Sequence, residues 1–252
     1  MDAYTYLLIN IFTILFPLLR SFENRIRFAS RWKFLFPALA ITGAVFIFWD
    51  VLFTKWNVWE FNPLYITGIN LINLPVEEWL FFLTVPFSCV FIYESVRYFI
   101  KKDLLAPYHR AISFIFLAVL SVVLVFNLDK IYTVVSFSLG ITLLILHLFV
   151  LKPNYMGRFY LAYFISFIPF FLVNGILTSW PVVMYNNLEN LGIRLYTIPV
   201  EDTIYNLSLL LMNIAIYEYL MQRSTKTTTN APSALVSNKP KFEMENAGSE
   251  LA

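Results

Sequence analysis

Charge is scarce in this sequence: Asp, Glu, Lys and Arg make up 13% of the 252 residues against 59% hydrophobic, and mean hydropathy is +0.69. A soluble globular chain carries about twice that share of charge, so the composition indicates an integral membrane protein. Cysteine is scarcer still. The single Cys89 excludes an internal disulfide and any multi-cysteine metal site. The two histidines, His109 and His147, lie far apart without paired ligand spacing, so a structural or interfacial role suits each better than metal binding. No two of the seven glycines stand in a G-x-G arrangement, and nothing suggests a dinucleotide or flavin fold. The first cation, Arg20, follows the first apolar run instead of preceding it, which argues for a retained first helix over a secretory signal.

Long uncharged runs are abundant. Residues 111–128, 131–151 and 159–188 hold no charged side chain, and a spanning helix needs roughly 20 apolar residues. Shorter apolar segments cover 3–19, 34–53, 76–96 and 203–222. The expectation is an all-α, multi-pass bundle of seven transmembrane helices. Cations then fall almost entirely into alternate loops. Segments 20–33, 97–110, 151–158 and the tail from 223 carry all of them except Lys55, Lys130 and Arg194. The positive-inside rule makes these segments cytoplasmic, with the N-terminus outside and the C-terminus inside. Eight acids, among them Asp50, Glu60, Glu77, Glu78, Glu201 and Asp202, fall on the outer side. Beyond Ser224 the chain turns polar and reads as a disordered cytoplasmic tail.

The acids repeat. A shift of 124 positions lays Pro75-Val76-Glu77-Glu78 on Pro199-Val200-Glu201-Asp202. It also lays Gly68-Ile69 on Gly192-Ile193, and Ile92-Tyr93-Glu94 on Ile216-Tyr217-Glu218. Three blocks at one offset indicate an internal repeat. Helices one to three correspond to five to seven, and helix four joins them. The expected units are residues 1–100, a linker helix in 101–128, a second unit in 129–222 and the tail at 223–252. Corresponding helices are four apart, an even number, so the copies run parallel and bring both acid pairs to the same depth.

A helix start explains one such pair by itself: Pro suits the first turn, and acids complement the exposed N–H groups there. Recurrence in register at an apolar boundary calls for more, because carboxyls near hydrocarbon are costly and mark sites or proton paths. A carboxyl that keeps its proton can act as a general acid, and an ionised partner as a base. Adjacent helical positions point about 100° apart, so the two acids of a pair divide their roles. The first of each pair, Glu77 and Glu201, is the preferred bundle-facing group. Aromatics surround them, including Trp49, Trp56, Trp59, Trp79, Phe82 and Tyr205. An interfacial belt accounts for most of these. A few would offer π-faces to a transient cation.

The stretch from Phe46 to Glu94, with FIFWD, KWNVWEFNPLYITGINLINLPVEEWLFF and FIYE, resembles the lycopene cyclase domain family. The later IPVED and IYE resemble its second copy, so the chain is similar to the fused form, up to about Gln222. The resemblance implies a cofactor-free, non-redox isomerase that closes the linear ψ ends of lycopene into β-ionone rings. It carries Glu77, Glu78, Glu201 and Asp202 over as catalytic acids, with Trp49, Trp79, Phe82 and Tyr205 as substrate-binding aromatics. The implied setting is a cell membrane. The implied partners are a lipid-dissolved carotenoid, membrane lipids and other carotenoid-biosynthesis enzymes, with no nucleic acid. Donor and acceptor stay unassigned between the halves.

Two other classes fit parts of the pattern. A cyclase or hydratase of another carotenoid would use the same acids. A proton-coupled transporter also has repeats and intramembrane acids, but such sites sit near the midplane on broken helices. Here the acids lie at helix ends, and Glu94 and Glu218 are expected to pair with Arg97 and Arg223 or to reach water. A retinal photoreceptor is excluded, because 203–222 contains no lysine for a Schiff base.

Overall fold

The computed structural model describes residues 2–229. Among these are seven α-helices: α1 (Thr5–Arg20), α2 (Trp32–Lys55), α3 (Val76–Phe99), α4 (His109–Val125), α5 (Ile131–Ile145), α6 (Met156–Ser179) and α7 (Glu201–Thr229). Six helical spans are long and apolar enough to cross a membrane. The exception is α4, whose 17 residues sit at the lower end of the spanning range. α5 gains its length from a π-helical turn, Leu146–Leu151, that continues it. Lys152 then ends the run in the left-handed region, its N–H bonded to His147 O at 2.9 Å. Phe12, Phe48, Ile115 and Ile168 stand exposed on the bundle exterior, as a lipid-facing surface requires.

Two expectations need correction. The uncharged run 159–188 is not one span, because α6 stops at Ser179 and the remainder is a loop that carries a short strand, Val183–Tyr185. The polar segment from 223 is helical at first. α7 continues to Thr229, with no Gly or Pro after Pro199 to interrupt propagation until Pro232. The rest of the expected tail, residues 230–252, lies outside the described residues. The bundle also carries short strands, although its purely α pattern gave no sign of them.

Those strands sit at the acid end. β1 (Trp59–Phe61) pairs antiparallel with β4 (Val183–Tyr185), joining two segments about 120 residues apart. Its register sets Glu60 opposite Met184, positions that the 124-residue shift makes equivalent, so a pseudo-twofold axis runs through that pair. Flanking bonds obey the same symmetry: Asn62 N–H donates to Val182 O and Asn186 N–H to Val58 O, each at 2.9 Å. Two hairpins follow, β2 (Asn70–Leu71) with β3 (Leu74–Pro75), and β5 (Arg194–Leu195) with β6 (Ile198–Pro199). Gly68 and Gly192 precede them with φ of +81° and +69°, a region glycine enters without steric cost.

Helix packing is exchanged between the halves. α1 lies along α3 and α5 along α7, while α2 packs on α7 and α6 on α3. The starts of α3 and α7 therefore meet at the centre of the acid end.

Candidate active site

Each hairpin delivers its strand into a helix that begins with two acids. Pro75 is extended, with φ −64° and ψ 148°, and the helix takes over at Val76. The first acid of each pair turns back toward the loop. Glu77 Oε1 accepts from Thr67 N–H at 2.7 Å, and Glu201 Oε1 accepts from Leu191 N–H at 2.7 Å. Thr133 Oγ1 also donates to Glu201, at 2.7 Å. Among the described residues, Oε2 of both Glu77 and Glu201 is buried without a partner. These carboxylates fasten the Gly68 and Gly192 loops onto their helices.

The second acids face inward. Glu78 and Asp202, one from each half, line a single cavity of about 60 Å³ between the helix starts. The preference for Glu77 and Glu201 as the bundle-facing pair is thus reversed. One helical step, about 100°, separates the roles as expected, but the loop N–H groups claim the first acid and leave the second for the cavity.

Tyrosines hold the cavity acids. Tyr6 of α1 donates to Glu78, and the equivalent Tyr132 of α5 donates to Asp202 Oδ1 at 2.5 Å. Asp202 also accepts from Tyr185 at 2.9 Å, through Oδ2. Tyr185 as a whole is half-buried, but its phenol is enclosed. That enclosure, with Asp202 beside it and Glu78 further off, holds the phenol well above the ordinary tyrosine value. It therefore remains a donor through the neutral range. A third carboxyl completes the site: Asp50 of α2 lines the same cavity as Glu78 and Asp202, and its Oδ2 is buried without a partner among the described residues. The remaining wall is largely aromatic, with Trp59, Phe61, Phe81 and Tyr205.

Of the four expected substrate-binding aromatics, only Tyr205 lines the cavity. Trp49 supports it from behind, ring centroids 4.9 Å apart, in a cluster with Phe46 and Phe53. Phe82 belongs to that same cluster and not to the cavity wall. Trp79 is half-buried outside it, on the turn of α3 that Glu78 leaves behind. Asp50, Tyr6, Tyr132 and Asn174 were missed as site residues. The 124-residue shift carries a usable signal for one pair: it lays Asp50 on Asn174, both of which line the cavity.

The opposite ends of α3 and α7 hold a second polar cluster. Tyr93 donates to Glu218 at 2.6 Å and Tyr217 to Glu94 at 2.8 Å, so each half's tyrosine serves the other half's acid. Arg31 pairs with Glu94, and Arg97 lies 3.5 Å from Glu94 and 3.3 Å from Glu218. Both acids are buried. Arg97 is one of the two partners, Arg97 and Arg223, that the sequence suggested, and Arg31 is an addition.

The lycopene cyclase family model matches residues 3–96 and 129–220. The two matched segments hold both acid pairs and leave α4 between them. No curated protein and no solved structure matches the chain. With both halves matched over most of their length around one shared acid cavity, the chain belongs to the lycopene cyclase family.

Proposed function

We propose that the protein is a cofactor-free lycopene β-cyclase, an isomerase that closes ψ ends of lycopene into β-ionone rings. One observation carries this reading: carboxyls from both halves converge on one small cavity walled in large part by aromatic rings. Two carboxylates crowded into one small cavity repel, so a proton held on Glu78 or Asp50 relieves the site, which suits that pair to donation. Asp202 takes two phenol hydrogen bonds, and an ionised carboxylate is an acceptor only, which suits it to the role of base.

In the reaction, the acid's proton adds to the terminal alkene and leaves a tertiary cation. The next alkene attacks it, forming the ring carbon–carbon bond and moving the cation within the ring. The base then removes the proton from the ring carbon that bears the polyene, and the β double bond results. One proton enters and one leaves, no electrons are exchanged, and a proton passing back between the carboxyls restores the site. Trp59, Phe81 and Tyr205 offer π-faces to the intermediate. The proposal places the site in the outer leaflet of the cell membrane, with the N-terminus outside and the C-terminus cytoplasmic. Substrate arrives dissolved in lipid.

Expression in lycopene-accumulating cells, followed by pigment chromatography, tests the reading. The expected products are γ- and β-carotene. Unchanged lycopene alongside well-inserted protein counts against it, and a ring of ε type would correct the assignment of the final deprotonation.

A further inference from the structure

Beside the acid cavity lies a larger one. It is an elongated groove of about 490 Å³ between α1, α3 and α6, lined by Phe12, Phe16, Cys89, Ile92, Leu172 and Val173 among others. Four residues, Val85, Phe170, Asn174 and Asn206, line both spaces, so the groove adjoins the acid cavity across a shared wall. Its outer wall is exposed on the bundle exterior, where Phe12 and Leu172 face lipid. The α1 wall from Ile9 to Pro17 rises about 12 Å by helix geometry.

The hydroxyls in this groove are already used. Thr13 donates to Ile9 O at 2.7 Å and Ser166 to Tyr163 O at 2.7 Å. Pro17 lacks the amide that would bond Thr13 O, and Ser88 of α3 donates there instead, at 2.9 Å, as well as to Thr84 O at 2.8 Å. Apart from the amides of Asn174 and Asn206, which it shares with the acid cavity, the surface left over is almost entirely apolar.

The pseudosymmetric route is filled. The 124-residue shift places Phe46 on Phe170, Phe82 on Asn206 and Leu209 on Val85. Phe46, Phe82 and Leu209 pack into one core cluster, with Phe46 and Phe82 centroids 6.3 Å apart. Large side chains thus occupy in one half the space that the amide of Asn206 leaves open in the other.

We propose that this groove is the lateral channel through which an isoprenoid polyene reaches the acids from the bilayer, and that it holds the chain while one end reacts. The inference rests on the cyclase reading for the identity of the hydrocarbon. A single channel admits one end at a time, so a second ring requires the chain to withdraw and re-enter reversed. A phospholipid is a poorer occupant, because the inner end of the groove adjoins carboxyls that would face any acyl chain to no purpose.

Two experiments test it. Val173→Trp is expected to lower conversion of lycopene at least tenfold and Val173→Phe by less, with Ile115→Trp on lipid-facing α4 unchanged. An active wild type with an equally active Val173→Trp variant overturns the channel. Photolabelling of the wild-type protein with a diazirine-bearing isoprenoid hydrocarbon is the second, and it needs no turnover. Crosslinks are expected within 9–17, 85–92 and 166–176. Crosslinks concentrated on α2 and α5, or spread evenly over α4, overturn the channel even where Val173→Trp fails to fold. Labelling of the groove without conversion of lycopene by the wild type would instead sustain the channel and refute the cyclase reading.

Discussion

In the first half Glu78 accepts from one phenol, Tyr6, and shares its cavity with a second carboxyl, Asp50. In the second half Asp202 accepts from two phenols, Tyr132 and Tyr185. The 124-residue shift sets Asn174 where the first half has Asp50, and Phe61 where the second has Tyr185. One scaffold therefore presents two proton inventories: two carboxyls and one phenol, against one carboxyl, two phenols and an amide. Duplication supplied the symmetry, and substitutions at positions 50, 174, 61 and 185 broke it at the cavity wall. The lesson is that the halves cannot be exchanged, since a proton donor and a proton acceptor need different neighbours.

The largest expected effect comes from removing either cavity acid. Glu78→Gln and Asp202→Asn should each lower conversion by about 10²–10⁴, the usual worth of a positioned acid or base, with insertion unchanged. Pigment chromatography beside quantitative immunoblotting reads both. If only one variant loses activity, the other half is a support and the comparison collapses.

Asp50→Asn comes next, at about tenfold to a hundredfold, because the cavity loses the second carboxyl that favours keeping a proton beside Glu78. The reciprocal change, Asn174→Asp, should not restore activity to that variant. Recovery in the double variant would mean that the number of carboxyls matters and their side of the axis does not.

A smaller loss is expected from Tyr185→Phe, which gives the second half the residue of the first. One hydrogen bond to a charged group contributes about 1.5–3 kcal/mol, and because Tyr132 still donates to Asp202 the low end applies, a loss on the order of tenfold. Deuterium incorporation from labelled water at the new ring separates protonation from the later deprotonation. The change should slow the deprotonation alone.

The smallest effect belongs to the first acids. In Glu77→Gln and Glu201→Gln the amide oxygen still accepts the loop N–H, and the amide nitrogen replaces an oxygen that has no partner. Activity should stay within about threefold. Glu77→Ala strands the Thr67 N–H and should cost about 1–3 kcal/mol of stability, read as a lower melting temperature in detergent. Loss of activity in the glutamine variants as severe as in Glu78→Gln would return the first acids to the catalytic role.

The acid positions were legible because a carboxyl pair in an apolar chain is costly and its recurrence at one offset is visible in the letters. Which acid of the pair faces the cavity was not legible. Helical geometry separates Glu77 from Glu78, but the direction depends on the Gly68 loop folding back to give Thr67 N–H to the first. Asp50 was hidden for a related reason. It sits in α2, separated in sequence from both acid pairs, and reaches the cavity of Glu78 only because α2 crosses between α3 and α7. Trp79 follows Glu78 directly and so diverges around the helix axis, whereas Phe82, four positions on, shares the face of Glu78 but packs into the cluster with Phe46 and Trp49. Tyr205 was found because it lies three positions after Asp202 and so shares its face.

The β1–β4 pairing illustrates the remaining gap. Three-residue strands leave no periodicity to read, and their partners lie in different halves, so only assembly of the bundle creates them. The sequence by itself determined a membrane bundle, its duplication and the placing of acids at matching helix ends, because hydrophobic runs, offsets and charge are local properties of the chain. Tertiary structure alone decided which carboxyls meet, which tyrosines serve them and which half stays open to lipid, because those depend on how side chains from distant helices fill one shared volume.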